Sequence, residues 1–351
     1  MAGQTNYGIG INGIGRIGRL VLRRALDSNP SGALPVRAIN SSYSAETIAH
    51  LLKYDSVHGK WNAHIETGED RLIINGQEIV LSYERDPENI PWKDMGVRVV
   101  ADATGKFTSR EGASRHLNSG AEKVVVTAPG KEMDITVVIG VNDGDYRHDQ
   151  HHLISTASCT TNCVAPVLQA LDQSIGIEEG WVTTVHAFTS DQRHLDNPHK
   201  DLRRARACGE SIVPTSTGIG KALAHVLPHL SQSIHGLSLR VPVPDVSICD
   251  MTLTMKRDVT VDDLRRAFVQ SSLYGRILDV SDEPLVSSDY IGNPYSSIVD
   301  GLSLAVHGRQ AKVLAWYDNE WGYACRVVDM LSLICESYSR SDRKNLQEVQ
   351  G

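Results

Sequence analysis

Short apolar runs and amphipathic stretches alternate through the first 155 or so residues of this chain. Tyr7-Gly8-Ile9-Gly10-Ile11-Asn12 predicts a buried strand, Arg16 to Leu26 a helix, and Pro35-Val36-Arg37-Ala38-Ile39-Asn40 a second strand, which together make a βαβ unit. Apolar runs at 97–101, 123–126 and 135–139 predict further strands of a mostly parallel, doubly wound sheet. The pattern changes near residue 158. Strand-like segments at 180–189, 236–243, 249–256 and 311–317, with one helical stretch at 261–271, predict an α+β domain on a mostly antiparallel sheet. The expected class is therefore α/β, with residues 1–157 as one domain and 158–321 as the next. A polar stretch, 189–210, separates the first two strands of the second domain. Its length suits a functional or interface loop better than a plain connector. Residues 339–351 are polar and are expected to fray.

Composition narrows the function classes. A net charge of −7 leaves no overall basic field for nucleic acid or an anionic membrane surface. No apolar run reaches membrane-spanning length, and Met1–Tyr7 has neither a basic region nor an apolar core of a signal peptide. Six cysteines without framework spacing suit reduced thiols and a cytoplasmic location.

Gly13-Ile14-Gly15-Arg16-Ile17-Gly18 reads G-x-G-x-x-G between the first strand and the first helix. Three glycines at this spacing allow a tight turn, close approach of a pyrophosphate, and close packing of helix on strand. The first domain is thus expected to be Rossmann-type. An acid normally closes the second strand to hold the ribose hydroxyls. Here that stretch reads Ile39-Asn40-Ser41-Ser42-Tyr43. An acid would repel a 2′-phosphate, whereas two hydroxyls and an amide can bond to it, so the pattern points to NADP as well as NAD.

Covalent chemistry enters with Ser158-Cys159-Thr160-Thr161-Asn162-Cys163, before an apolar helical run. A cysteine at a helix N-terminus is favoured as thiolate and suits nucleophilic attack on a carbonyl. His186, ending the β-branched stretch Trp181–Thr189, is the candidate base. Cys163, one helical turn on, reads as a small buried hydrophobe, and no further ligands stand at metal-binding spacing, so no metal is expected. Arg240, in an apolar strand context, needs an anionic partner. Ser216-Thr217-Gly218 precedes a helix near Ile219 and offers donors to a phosphate or a cap to that helix.

Taken in order, 12–18, 157–163, 201–206 (Asp201-Leu202-Arg203-Arg204-Ala205-Arg206) and 316–323 (Trp316-Tyr317-Asp318-Asn319-Glu320-Trp321-Gly322-Tyr323) resemble the phosphorylating glyceraldehyde-3-phosphate dehydrogenases over nearly the whole chain. The resemblance implies reversible oxidative phosphorylation of glyceraldehyde 3-phosphate to 1,3-bisphosphoglycerate. It makes Cys159 the nucleophile and His186 its base. It assigns the substrate phosphate to Thr189, Asp191 and Arg240, and inorganic phosphate to Ser158, Thr160, Arg204, Thr217 and Gly218. It further implies Gly13, Gly15, Gly18, Arg16 and Ile17 at the pyrophosphate, Arg85 and Thr127 along the adenosine and ribose, and Asn319 with Tyr323 at the nicotinamide. The loop 189–210 would pack between subunits of a homotetramer, and a C-terminal helix, about 322–340, would complete the first domain.

Two departures mark a branch. Ser41 stands where NAD-using members have an acid, and Asn197 where they usually have an apolar residue. Both resemble the bacterial branch that prefers NADP and works in the gluconeogenic direction. An erythrose-4-phosphate dehydrogenase departs at the phosphate segments that are intact here, and an aspartate-semialdehyde dehydrogenase lacks the segment around Asn319. A non-catalytic Rossmann-fold binding protein, for instance one docking RNA, would not need the thiol, base and phosphate groups together.

Overall fold

A computed structural model describes residues 7–27 and 33–350; the leading segment 1–6, read above for targeting signals, lies outside them. The buried run Gly8–Asn12 forms β1, and α1 (Arg16–Leu26) turns Leu20, Val21, Leu22 and Ala25 inward. β2 (Val36–Asn40) pairs in parallel with β1. Next comes α2 (Ala45–Lys53), opened by Ser44, whose hydroxyl accepts the Thr47 N–H. An antiparallel meander of β3 (Ile65–Gly68), β4 (Arg71–Ile74) and β5 (Gln77–Ser82) follows. The sheet continues with β6 (Val97–Asp102), α3 (Arg110–Asn118), β7 (Lys123–Val126), β8 (Ile135–Thr136) and β9 (Leu153–Ser155). Its strand order is β3-β4-β5-β2-β1-β6-β7-β9-β8, parallel from β5 to β8. The near-continuous aliphatic strands are those of a sheet buried on both faces.

The second sheet is built from β10 (Ile177–Ala187), β11 (Val213–Thr215), β12 (Ile234–Val241), β13 (Ser247–Met255), β14 (Leu278–Ser281), β15 (Ser297–Asp300), β16 (Ala305–His307) and β17 (Gln310–Tyr317). Most of its pairings are antiparallel; β10 with β12 and β14 with β15 are parallel. Burial alternates along β10, β13 and β17, as period-two side chains require. The buried face meets α4 (Cys159–Ser174), α5 (Ile219–Val226) and α6 (Val261–Val269). Val164, Val167, Leu168 and Leu171 of α4 are fully buried, each contributing about 1.5–3 kcal/mol. This firmly seats the helix whose first residue is Cys159. The fold is thus α/β in its first sheet, with a mostly antiparallel second one.

The chain divides into two compact units, Met1–Val137 with Asp145–Ala157 and Ala324–Gly351, and Val138–Gly144 with Ser158–Tyr323. Two expectations need correction. The strand expected over 135–139 stops at Thr136, because Asn142 Oδ1 takes the Val138 N–H at 2.8 Å and turns the chain. The C-terminal helix, expected over 322–340 with fraying beyond 338, is α7 (Trp321–Gln350). Local polarity does not stop a helix that carries no proline or glycine after Gly322. Within the first unit Tyr338 of α7 stacks on Tyr7 at 5.8 Å, lies 4.1 Å from the Arg98 guanidinium, and donates to Glu122 at 2.9 Å.

Candidate active site

The three glycines of the turn differ in their surroundings. Gly13 sits at φ +91°, a conformation that favours glycine. A Cβ on Gly18 would meet the Gly13 carbonyl oxygen at 2.0 Å, while one on Gly15 would meet nothing within 4 Å. The turn is closed at Gly18 and open at Gly15, which suits an approaching pyrophosphate. It borders a cavity of about 490 Å³ whose lining includes Asn12–Gly15, Asn40–Tyr43, Glu84, Arg85, Thr104, Lys106 and Phe107. These residues fit a dinucleotide. Of the residues assigned above to the cofactor, Gly13, Gly15, Ser41 and Arg85 line the cavity; Arg16, Ile17, Gly18 and Thr127 are outside its lining. Arg16 is bonded to Asp55, whose carboxyl lies well below the usual range through hydrogen bonds from Arg16 and two backbone N–H groups that outweigh its burial. The Thr127 N–H donates to the Asp102 carbonyl at 3.0 Å. The Asn40 amide is engaged with Asn12 and with the Glu84 backbone. Asn12, Thr104, Lys106 and Phe107 were not legible as site residues, since each is a single side chain at a strand end or in the loop after it.

In the second unit Ser158 caps α4, its hydroxyl accepting the Thr161 N–H at 3.1 Å. Ala157, just before it, holds φ +55°, so a strained residue precedes the cap. Cys159 is the first helical residue, and its Sγ lies 3.4 Å from His186 Nε2. His186 Nδ1 is 2.7 Å from the Ala187 carbonyl, which only accepts, so Nδ1 carries the proton and Nε2 presents its lone pair to the thiol.

Strand register then brings Arg240 opposite His186. Its Nη1 donates to the Ala187 carbonyl at 3.0 Å and to Thr189 Oγ1 at 3.2 Å, and stands 3.1 Å from His186 Nδ1. The Arg240 Nε is buried without a partner among the described residues. Such a donor calls for an anion.

Burial pushes the Cys159 thiol up to about 11, against the pull of Arg240 and Thr160. Burial, then Arg240, pushes the His186 imidazole down to about 3. Each charge alone is disfavoured. A proton passing from Sγ to Nε2 changes no net charge, however, and the resulting thiolate lies at the N-terminus of α4, where the dipole stabilises it.

Other candidates divide clearly. Asp191 is paired with Arg204, and Arg204 reaches Thr215 Oγ1 at 2.7 Å. The Asp191 carboxyl, held below its ordinary value by Arg204 and His199 in spite of burial, therefore orients a cation and is unsuited to touching phosphate itself. Thr160 Oγ1 lies 3.1 Å from the Tyr317 hydroxyl. Gly218 caps α5 with no side-chain bond, and a Cβ there would meet nothing within 4 Å. Asn319 Oδ1 accepts from Ser247 at 2.7 Å. Asn197 is in the long loop, its N–H on the Ala205 carbonyl, and Tyr323 is buried in α7. Cys163 is fully buried, 3.5 Å from Ser297 Oγ. Among the described residues no helix is long and apolar enough to cross a membrane.

Comparison with known proteins agrees along the chain. Residues 7–110 match the family described as glyceraldehyde 3-phosphate dehydrogenase, NAD binding domain, and 158–319 the C-terminal domain of the same enzymes. The chain is 54% identical to glyceraldehyde-3-phosphate dehydrogenase 2 of Bacillus subtilis, over 92% of this chain and 95% of the relative. It is 51% identical to the glyceraldehyde-3-phosphate dehydrogenase of Geobacillus stearothermophilus, over 93% and 97%.

Proposed function

The chain belongs to the glyceraldehyde-3-phosphate dehydrogenase family, an NAD(P)-dependent one, and on that premise we propose a thioester route through Cys159 with NADP preferred. The reaction is the reversible conversion of glyceraldehyde 3-phosphate and inorganic phosphate to 1,3-bisphosphoglycerate. The 3.4 Å approach of Cys159 Sγ to the lone-pair nitrogen of His186 carries the reading.

His186 takes the thiol proton, and Sγ adds to the aldehyde carbon to give a hemithioacetal. The Cys159 backbone N–H and His186 stabilise its oxyanion. His186 then holds the hydroxyl proton as hydride leaves the same carbon and a thioester forms. A bound nicotinamide would supply the hydride acceptor, and Asn319 and Tyr323 are the residues that would hold it. Inorganic phosphate attacks the thioester carbon, the C–S bond breaks, and Cys159 returns as thiolate with the acyl phosphate released.

Arg240 and Thr189 hold the substrate phosphate, supported by the buried, unpartnered Arg240 Nε. Asp191 contributes by fixing Arg204. Ser158, Thr160, Arg204, Thr217 and Gly218 form the inorganic phosphate site; open space over Gly218 supports this. Gly13, Gly15, Arg16, Ile17 and Gly18 serve the pyrophosphate, with Arg85 and Thr127 further along the cofactor.

The NADP preference rests on Ser41. It follows the second strand without a carboxylate, and Arg85 and Lys106 join it in the cavity lining against one acid, Glu84. Asn197, in the long loop, belongs to the same preference. Physiological use in the gluconeogenic direction accords with that branch, and six free cysteines suit a reducing, cytoplasmic compartment. A homotetramer is supported by Leu195 and Leu202, 79% and 81% exposed in the long loop, and by Trp181 and Leu237 on the open sheet face.

Steady-state rates with glyceraldehyde 3-phosphate, phosphate and each cofactor test the proposal, with erythrose 4-phosphate as the competing aldehyde. A higher kcat/KM with NADP, moving toward NAD in Ser41→Asp, is expected. Equal ratios in wild type and variant would refute the role of Ser41.

A further inference from the structure

The C-terminal residues of three adjacent parallel strands are polar and lie side by side: Asn40 ending β2, Asn12 ending β1 and Asp102 ending β6. All are at least 95% buried, as are His116 on α3 and Trp92 behind them. Ligands of open α/β sheets bind beyond the carboxyl ends of the strands, so this row lies beneath the cavity.

The hydrogen bonds along the row have one direction. Asp102 Oδ1 accepts from Thr104 N at 3.0 Å and Thr104 Oγ1 at 2.6 Å; Oδ2 accepts from Asn12 Nδ2 and His116 Nε2, each at 2.9 Å. The Trp92 indole can only donate, and it reaches His116 Nδ1 at 3.0 Å, which fixes the His116 proton on Nε2. With Asn12 Nδ2 turned to Asp102, its Oδ1 faces Asn40 and accepts from Nδ2 at 2.8 Å. Asn40 in turn clasps Glu84 twice, donating to its carbonyl at 2.8 Å and accepting its N–H at 2.9 Å. Glu84 and Arg85 line the cavity; Asp102, His116 and Trp92 do not.

We propose that Asp102, His116 and Trp92 are positioning residues for the dinucleotide: they set the polarity of the Asn12–Asn40 row and so hold the Glu84–Arg85 wall of the cavity in place. An amide at position 102 breaks that polarity. It offers an acceptor to only one side, so either Thr104 N–H meets a donor or Asn12 must flip. A flipped Asn12 forces Asn40 to flip, and Asn40 Nδ2 then faces the Glu84 N–H. The error made at Asp102 is thus delivered to the cavity wall, two side chains away.

The inference rests on the cavity being the cofactor site, and the experiment separates the two. Dinucleotide binding is titrated and steady-state kinetics are measured for wild type, Asp102→Asn, His116→Leu and His116→Gln, with folding checked by circular dichroism. In Asp102→Asn and His116→Leu the KM and Kd for the cofactor are expected to rise about tenfold, the scale of one lost charge-assisted hydrogen bond. Both kcat and the KM for glyceraldehyde 3-phosphate are expected to stay within about twofold of wild type, the usual size of a change with no lost contact. His116→Gln, which can still donate to Asp102 and accept from Trp92, should stay near wild type. Unchanged cofactor binding in both disruptive variants would overturn the proposal. So would a loss shared equally by kcat and both KM values, or a His116→Gln as impaired as His116→Leu. If Asp102→Asn does not fold, Trp92→Phe replaces it, with a smaller rise in cofactor KM expected and no rise overturning the inference. A wild-type chain that binds neither dinucleotide would refute the cavity reading instead.

Discussion

Arg240 stands directly opposite His186 in the parallel pairing of β10 with β12, its Nη1 3.1 Å from the imidazole Nδ1. Both nitrogens are donors, and both point at the Ala187 carbonyl. One backbone oxygen therefore orients the base and anchors the cation proposed to hold the substrate phosphate.

Removing that cation should weaken substrate binding before it slows chemistry. Arg240→Gln is expected to raise the KM for glyceraldehyde 3-phosphate about ten- to a hundredfold, the 1.5–3 kcal/mol range of a hydrogen bond to a charged group. The KM for the cofactor should not move. Initial-rate measurements with each substrate varied decide it, and an unchanged aldehyde KM would remove Arg240 from the phosphate site.

Two glycines of one motif should fail in different ways. Gly18→Ala places a methyl 2.0 Å from the Gly13 carbonyl oxygen and should destabilise the fold by roughly 1–3 kcal/mol as the helix is forced off the strand. Gly15→Ala meets open space, so its melting temperature should hold while its cofactor KM rises. Thermal melts beside cofactor titrations separate the two. Equal melting losses would contradict the division of roles.

Stability should also respond to pH through Asp245. Burial, with Asp318 and Glu320 beside it, pushes this carboxyl up to about 9 from an unfolded value of 3.8. Between those values the folded state holds a proton that the unfolded state has lost, so its contribution to stability falls as pH rises. His186 acts in the opposite sense: its lowered value means that stability falls as pH drops from 6.5 toward about 3. Asp245→Asn should therefore melt higher than wild type at pH 8, with the gap closing toward pH 4. A gap independent of pH, measured by calorimetry, would contradict the assignment.

Where the chemistry depends on local pattern, the sequence carried it. Arg16–Leu26 is a helix with those bounds, and Cys159 begins α4 because Ser158 caps it, both being signals within a few residues. The meander Ile65–Ser82 was not legible, since its three short strands alternate weakly and depend on pairing with one another. The pairing of Asp191 with Arg204, across thirteen residues of irregular loop, leaves no local signal. The Asn40–Asn12–Asp102–His116 row lay furthest from view. Its members are 90 residues apart between Asn12 and Asp102, and only sheet register unites them.

The covalent intermediate on Cys159 can be trapped directly. Enzyme mixed with glyceraldehyde 3-phosphate and NADP, without phosphate, is quenched in acid and its peptides are weighed by mass spectrometry. A 3-phosphoglyceroyl adduct is expected on the peptide bearing Cys159, discharged when phosphate is added before the quench and absent from Cys159→Ser. An adduct elsewhere, or phosphate-dependent turnover by Cys159→Ser near the wild-type rate, would contradict it.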